Sequence, residues 1–147
     1  MRIDRYCDAD LDVLAGLRAR LWPDGTVAEH RAEVEETYDG DRTAAAFLAR
    51  GEDGTAIGFS EATLRTEYVN GCDSSPVAFL EGIYVEPNQR RSGAARALCA
   101  AVEEWGRELG CTELGSDALT DNSLGHELHK GLGFEERERV IYYRKLL

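Results

Sequence analysis

Residues 83–96 read Ile83-Tyr84-Val85-Glu86-Pro87-Asn88-Gln89-Arg90-Arg91-Ser92-Gly93-Ala94-Ala95-Arg96: an apolar strand end, a short turn, then a helix start made of basic and small residues. A helix N-terminus presents unpaired backbone N–H groups and the positive end of the peptide dipoles, an arrangement that suits phosphate. Gly93 lets the backbone come close to an anion, and Ala94 and Ala95 do not block it. Arg90, Arg91 and Arg96 add positive charge to a chain whose formal net charge is -11. By itself, Arg90-x-x-Gly93-x-Ala95 also fits a plain arginine-rich helix start. The apolar strand before it, the amphipathic helix after it and a second signal downstream favour the phosphate. That signal is Asn122 followed by His129-Lys130-Gly131-Leu132-Gly133-Phe134. A further candidate is Glu81, which interrupts the most apolar stretch of the chain, Val77 to Val85. An unpaired buried carboxylate is costly, so Glu81 reads as a functional residue more readily than as a structural one.

These residues need a scaffold. Arg2 to Tyr6 reads as a first strand. Asp8 can cap a helix in which Leu11, Leu14, Leu17 and Leu21 recur at helical spacing. Trp22-Pro23-Asp24-Gly25 stops it, and Thr26 with Glu29 forms a capping-box pattern for a second helix running to about Tyr38. Strands are expected at Ala44–Ala49, Ala56 to about Tyr68, Val77–Val85 and Cys111–Ser116. Between Ser92 and Leu109, Leu98, Val102, Trp105 and Leu109 share one helical face, closed by Gly110. A further helix starts at Asp121 or Asn122, with Leu124, Leu128 and Leu132 four apart, and Val140–Leu146 reads as a final strand. The mixed order implies an α+β or α/β fold on a mostly antiparallel central sheet.

Composition narrows the function. A chain of 147 residues suits one domain, 1–147, with a single core. The acidic balance argues against nucleic acid, whose binding depends on Lys and Arg neutralising phosphates. It is compatible with a cationic partner as well as with plain solubility. No apolar run approaches the ~20 residues that span a bilayer, and no signal-peptide core follows Met1, so a cytoplasmic protein without membrane contact is expected. Cys7, Cys72, Cys99 and Cys111 form no C-x-x-C pair and have no histidine at zinc-ligand spacing, so no metal is expected. Cys99 falls in a helical pattern and reads as a small core residue.

Arg90-x-x-Gly93-x-Ala95 together with Asn122 and Leu132-Gly133-Phe134 resembles the GCN5-related N-acetyltransferases, and the element order matches their fold along almost the whole chain. The resemblance implies acetyl-CoA as donor, with its pyrophosphate on the backbone of Arg91, Ser92, Gly93, Ala94, Ala95 and Arg96. It implies that the pantetheine arm pairs like an extra strand with Ile83, Tyr84 and Val85 at a splayed point of the sheet, and that Asn122 contacts the cofactor. Many members carry a tyrosine, often the proton donor to the leaving thiolate, where this chain has His129.

A closer resemblance lies with the chromosomal-type aminoglycoside 6'-N-acetyltransferases. It rests on Leu21-Trp22-Pro23, Tyr68-Val69-Asn70-Gly71-Cys72-Asp73-Ser74-Ser75-Pro76, Phe79-Leu80-Glu81-Gly82-Ile83, Ser116-Asp117, Gly133-Phe134-Glu135-Glu136 and Val140-Ile141-Tyr142-Tyr143-Arg144-Lys145. It implies that Trp22, Tyr68, Glu81, Asp117 and Glu138 line an aminoglycoside site, and it suggests a homodimer with exchange of Val140–Leu147. Aminoglycosides are polycationic, and ammonium groups need carboxylate partners. On this reading Glu81, through a water, and Asp117 are the candidate proton acceptors. A backbone N–H near Ile83 serves the developing oxyanion, and Tyr143 or His129 protonates the thiolate; no nucleophilic role falls to Cys72. Two other readings stay open: the same fold acting on a polyamine or a protein N-terminus, and a non-catalytic acyl-CoA-binding module.

Overall fold

The computed structural model describes residues 1–40 and 42–147. Strand β1 (Arg2–Arg5) leads through a 3-10 turn (Asp8–Asp10) into helix α1 (Leu11–Leu21), and α2 (Val27–Thr37) follows. Three strands come next: β2 (Ala44–Arg50), β3 (Ala56–Arg65) and β4 (Val77–Val85). A 3-10 turn (Pro87–Gln89) precedes α3 (Ala94–Glu108), β5 (Leu114–Gly115) and α4 (Ser123–Gly131). The sheet order is β1-β2-β3-β4-β5, antiparallel throughout except for the parallel pair β4–β5. This is the mostly antiparallel α+β architecture expected from the sequence.

Helices cover both faces. Alternate strand residues point to opposite sides, so Ala45, Phe47 and Ala49 of β2 pack with Leu98, Val102 and Trp105 of α3, while Ala46 and Leu48 meet Leu14, Leu17 and Val34 of α1 and α2. In β4 the alternation slips. Ala78 and Leu80 face α3, and so do Ile83 and Val85, an odd number of residues further on. The register explains it: Glu61 pairs with Gly82 but Ala62 pairs with Leu80, so Glu81 is an extra residue, a β-bulge. The apolar run therefore makes a covered strand with one interruption.

Several boundaries differ from the sequence-based expectation. Asp8 does not cap α1. A single 3-10 turn intervenes, in which the Asp10 carboxylate accepts from the Cys7 N–H at 3.2 Å. The Thr26–Glu29 capping box is present as expected. β3 ends at Arg65 instead of continuing to Tyr68, and the Thr66 carbonyl is taken by the Ser75 hydroxyl. Leu124 is 74% exposed, so the leucine face expected of α4 is not a core face. The expected strand Val140–Leu146 does not form: no regular structure follows α4, and Val140, Ile141, Tyr142, Tyr143 and Leu146 are exposed. A strand needs a neighbouring edge to satisfy its backbone groups, and among the described residues this segment pairs with none.

All four cysteines are free thiols. Cys99 is buried in the core, and burial pushes its thiol up to about 11, as befits a structural residue. Burial, helped by the Glu113 and Asp73 carboxylates, also raises the Cys72 thiol, the wrong direction for a nucleophile.

Candidate active site

Two regions adjoin the C-terminal half of β4, the expected anion region and the expected cation region.

The anion region is the turn into α3. Gly93 is the N-cap of α3 in the left-handed conformation (φ 85°, ψ 2°), and no side chain caps the helix. Arg91 is also left-handed, at φ 63°. The helix therefore starts at Ala94 and not at Ser92, and its first N–H groups have no side-chain cap. A Cβ placed on Gly93 meets nothing within 4 Å, so the approach is open. Arg90 Nε donates to the Val85 carbonyl at 3.1 Å, and Arg96 Nη2 donates to the Gly131 carbonyl at 3.0 Å, which ties α3 to the end of α4. Beside this turn, β4 and β5 pair only at Ala78–Leu114 and Phe79–Gly115. Beyond that point, among the described residues, no strand pairs with the β5-side edge of Ile83, Tyr84 and Val85. An uncapped helix start and an open strand edge fit the pyrophosphate and the amide-bearing arm of acetyl-CoA. Asn122 caps α4 with its side-chain oxygen, which accepts from the Gly125 N–H at 3.0 Å, leaving its amide nitrogen free of that role.

Gly93→Val carries the first prediction. A β-branched residue in the left-handed region is strained by roughly 1–2 kcal/mol, and escape from that strain moves the N–H groups off the phosphate position. The KM for acetyl-CoA is expected to rise about tenfold, since about 1.4 kcal/mol is a factor of ten, while the KM for the acceptor stays near its wild-type value. Steady-state kinetics with each substrate varied in turn check it.

The cation region lies on the α1 side of the sheet. Glu81 is exposed, not buried as the sequence suggested, because the bulge turns it out of the apolar run. Its carboxylate accepts from Thr63 Oγ1 at 2.6 Å and from Arg65 Nη2 at 2.8 Å. The Arg65 guanidinium stands 3.6 Å from the centroid of the Phe79 ring. Next to Glu81, Gly82 lies under the indole of Trp22: a Cβ on Gly82 would stand 2.5 Å from Trp22 Cζ2 and Cη2. Tyr68 is 74% exposed in the loop after β3. Asp117 comes two residues after the last β4–β5 pair, Phe79–Gly115. Asp117 is exposed and makes no side-chain hydrogen bond or ion pair among the described residues. Trp22 therefore lies over the residue next to Glu81, while Tyr68 and Asp117 are exposed on the loops after β3 and β5.

Glu138 and Tyr143 are not gathered in the same way. Arg137 pairs with Asp73 at 3.2 Å, in the loop that carries Tyr68, so Glu138 leaves the body of the chain beside that loop. Tyr143 lies further along the exposed segment, at 89% exposure. His129, on α4, reaches back to the residue after β5: its Nε2 is 2.7 Å from the Ser116 hydroxyl and its Nδ1 is 2.6 Å from the Gly125 carbonyl. Among the described residues no group of three or more His, Cys, Asp or Glu side chains is placed to hold a metal ion, and no helix is long and apolar enough to cross a membrane.

The sequence reading missed a cluster beneath Trp22. Arg18 and Glu61 are buried and form a two-pronged ion pair, Arg18 Nη1 lying 2.6 and 2.9 Å from the two carboxylate oxygens. Buried His30 accepts from Arg18 Nε at 3.3 Å, and Glu33 also pairs with Arg18. Burial pushes the Glu61 carboxyl up, while the Arg18 guanidinium and the Tyr38 hydroxyl pull it back. Burial and the Glu61 carboxylate raise the Tyr38 hydroxyl, which stays a donor. A signal was present: Arg18 lies four residues after Leu14 and three before Leu21, on the apolar face of α1.

The profile of the acetyltransferase (GNAT) family matches residues 14–134, and the chain belongs to that family. Within it the chain groups with the type 1 aminoglycoside N(6')-acetyltransferases. It is 51% identical to one from Serratia marcescens over 96% of this chain and 97% of the relative. Among solved structures, it is 46% identical, at a TM-score of 0.92, to AAC(6')-Iy in complex with the bisubstrate analogue CoA-S-monomethyl-acetylneamine, covering 99% of this chain and 98% of that one. It is 41% identical, at a TM-score of 0.94, to the apo aminoglycoside 6'-N-acetyltransferase AAC(6')-IG from Acinetobacter haemolyticus, covering 100% of this chain and 99% of that one.

Proposed function

We propose that this protein, acting as one catalytic domain over residues 1–147, transfers an acetyl group from acetyl-CoA to the 6'-amine of aminoglycosides, and so confers resistance to them. The observation that carries the reading is an uncapped helix start following a β4 strand that β5 pairs with only as far as Phe79, in a chain about half identical to enzymes of that name. Bound acetyl-CoA supplies a reactive thioester carbon and a thiolate leaving group.

The chain supplies the rest. The backbone of Arg91 to Arg96 holds the pyrophosphate, and the free edge of Ile83 to Val85 aligns the arm. Asp117, with no side-chain partner among the described residues, holds an acceptor ammonium group, and Trp22 and Tyr68 offer faces to its sugar rings. Glu81, on the bulge next to that edge, takes the proton from the attacking amine, directly or through a water. A backbone N–H near Ile83 donates to the carbonyl oxygen on which negative charge develops. Thiol release from acetyl-CoA tests the acceptor class: turnover with tobramycin is expected, and turnover with spermidine alone would move the acceptor to the polyamines.

The exposed apolar residues of the C-terminal segment support a homodimer. Val140, Ile141, Tyr142, Tyr143 and Leu146 form an unpaired strand-like run, and β5 is an edge strand. Such a run and such an edge tend to be covered, and exchange of Val140–Leu147 between two copies covers both. On this reading the proton for the leaving thiolate comes from Tyr143, carried on the exchanged segment, or from His129. Deletion of 140–147 is expected to convert the protein to a monomer in sedimentation velocity; an unchanged dimer would refute the exchange. The cytoplasm, where acetyl-CoA is available, is the compartment this chemistry requires.

A further inference from the structure

We infer that the buried cluster Arg18–Glu61–His30 is the device that positions Trp22, and through it sets acceptor affinity without touching the acceptor. The inference rests on the proposed acetyl transfer, since it names what holds one wall of that site.

Trp22 is the C-cap of α1, with non-helical backbone (φ -123°, ψ 76°), a place where helices fray. Its N–H donates to the Arg18 carbonyl at 2.7 Å. Its own carbonyl lies 2.9 Å from His30 Nε2. Because Arg18 Nε donates to His30 Nδ1, the ring proton must sit on Nε2, where it donates to the Trp22 carbonyl. Arg18 thus selects the tautomer that anchors the tryptophan backbone. The same guanidinium lies 5.1 Å from the centroid of the Trp22 ring, the His30 ring stacks at 6.3 Å and Phe59 meets it edge-on at 6.0 Å. Below the ring is Gly82, and Gly82 pairs in register with Glu61. The ion pair therefore ties α1 to the rung of the sheet that adjoins the Glu81 bulge.

Stability alone does not explain charge here. Well-packed apolar residues of similar volume often replace a buried ion pair without loss of stability, and sometimes with a gain. What they cannot reproduce is direction: a planar guanidinium fixes a carboxylate, an imidazole and a ring in one geometry.

That distinction supplies the test. In a Trp105→Phe background, which leaves Trp22 as the lone tryptophan, the double variant Arg18→Met/Glu61→Leu is compared with its parent. With kanamycin as acceptor, its KM is expected to rise about tenfold, equivalent to about 1.4 kcal/mol, with the KM for acetyl-CoA unchanged and the Trp22 emission altered. A folded double variant with parental acceptor KM and emission would overturn the inference, as would a parallel rise in both KM values. If the double variant does not fold, His30→Leu and His30→Gln replace it: Leu should raise the acceptor KM, and Gln, which can still donate to the Trp22 carbonyl, should restore it. Equal KM values for those two would also overturn the inference. A parent protein that turns over no kanamycin tells instead against the reaction, and is seen before any variant of the cluster is made.

Discussion

Glu81→Gln is expected to lower kcat/KM for the aminoglycoside by about 100-fold or more, the usual weight of a positioned general base, while leaving the KM for acetyl-CoA unchanged. The amide keeps the size of the side chain and its contacts with Thr63, but it can neither take a proton nor hold an ammonium charge. Glu81 owes its position to the bulge. As the unpaired residue between the Leu80–Ala62 and Gly82–Glu61 pairs, it is turned out of the apolar run and set next to the open edge at Ile83. Asp117→Asn is expected to act mainly on acceptor KM, because the role proposed for this exposed carboxylate is to hold an acceptor ammonium group. A pH profile separates the two. The rate of Glu81→Gln should recover as pH rises and the amine deprotonates in solution, whereas the Asp117→Asn profile should keep the parental shape. Equal losses in both variants with unchanged profiles would remove the assignment of roles.

Gly82→Ala is expected to have the second largest effect. Its methyl group would lie 2.5 Å from two carbons of the Trp22 ring and 3.2 Å from Leu21 Cδ2, so the indole must move. Overpacking of this kind costs typically about 1–3 kcal/mol of stability. A misplacement of about 1 Å near a reacting centre can cost about 100-fold in rate, so kcat/KM for the acceptor should fall by tens of fold or more. The double variant Gly82→Ala/Trp22→Phe should regain stability, because the smaller ring leaves room for the methyl, but not acceptor affinity. Recovery of both would show that the indole face does not contribute to binding. Denaturant unfolding and steady-state kinetics on the two variants read the two quantities separately.

The local patterns along the chain carried the scaffold well because they are governed by near neighbours. The Thr26–Glu29 capping box, the α3 face of Leu98, Val102 and Trp105, and the apolar β4 all follow from spacing. The bulge at Glu81 was not legible, since it depends on the register between β3 and β4, a property of two segments and not of one. The same gap produced the expectation that Glu81 is buried. Arg18 and Glu61 escaped notice because each is polar in an otherwise ordinary element, and only folding brings residues 43 positions apart into one ion pair. Val140 to Leu146 has the composition of a strand, but a strand exists only with an edge to pair on, and composition does not say whose edge. The glycine-led start of α3 was legible because the turn, the glycine and the small residues are contiguous in sequence.

The central claim is acetyl transfer to the 6'-amine, and the most direct measurement compares neomycin with paromomycin, which carries a hydroxyl in place of that amine. Purified protein is incubated with acetyl-CoA and each antibiotic, with released thiol and product mass followed together. Thiol release with neomycin is expected, with a product heavier by a single acetyl group and no turnover of paromomycin above the rate of thioester hydrolysis. Comparable release and acetylation of paromomycin would place the reacting amine elsewhere on the sugar and contradict the account.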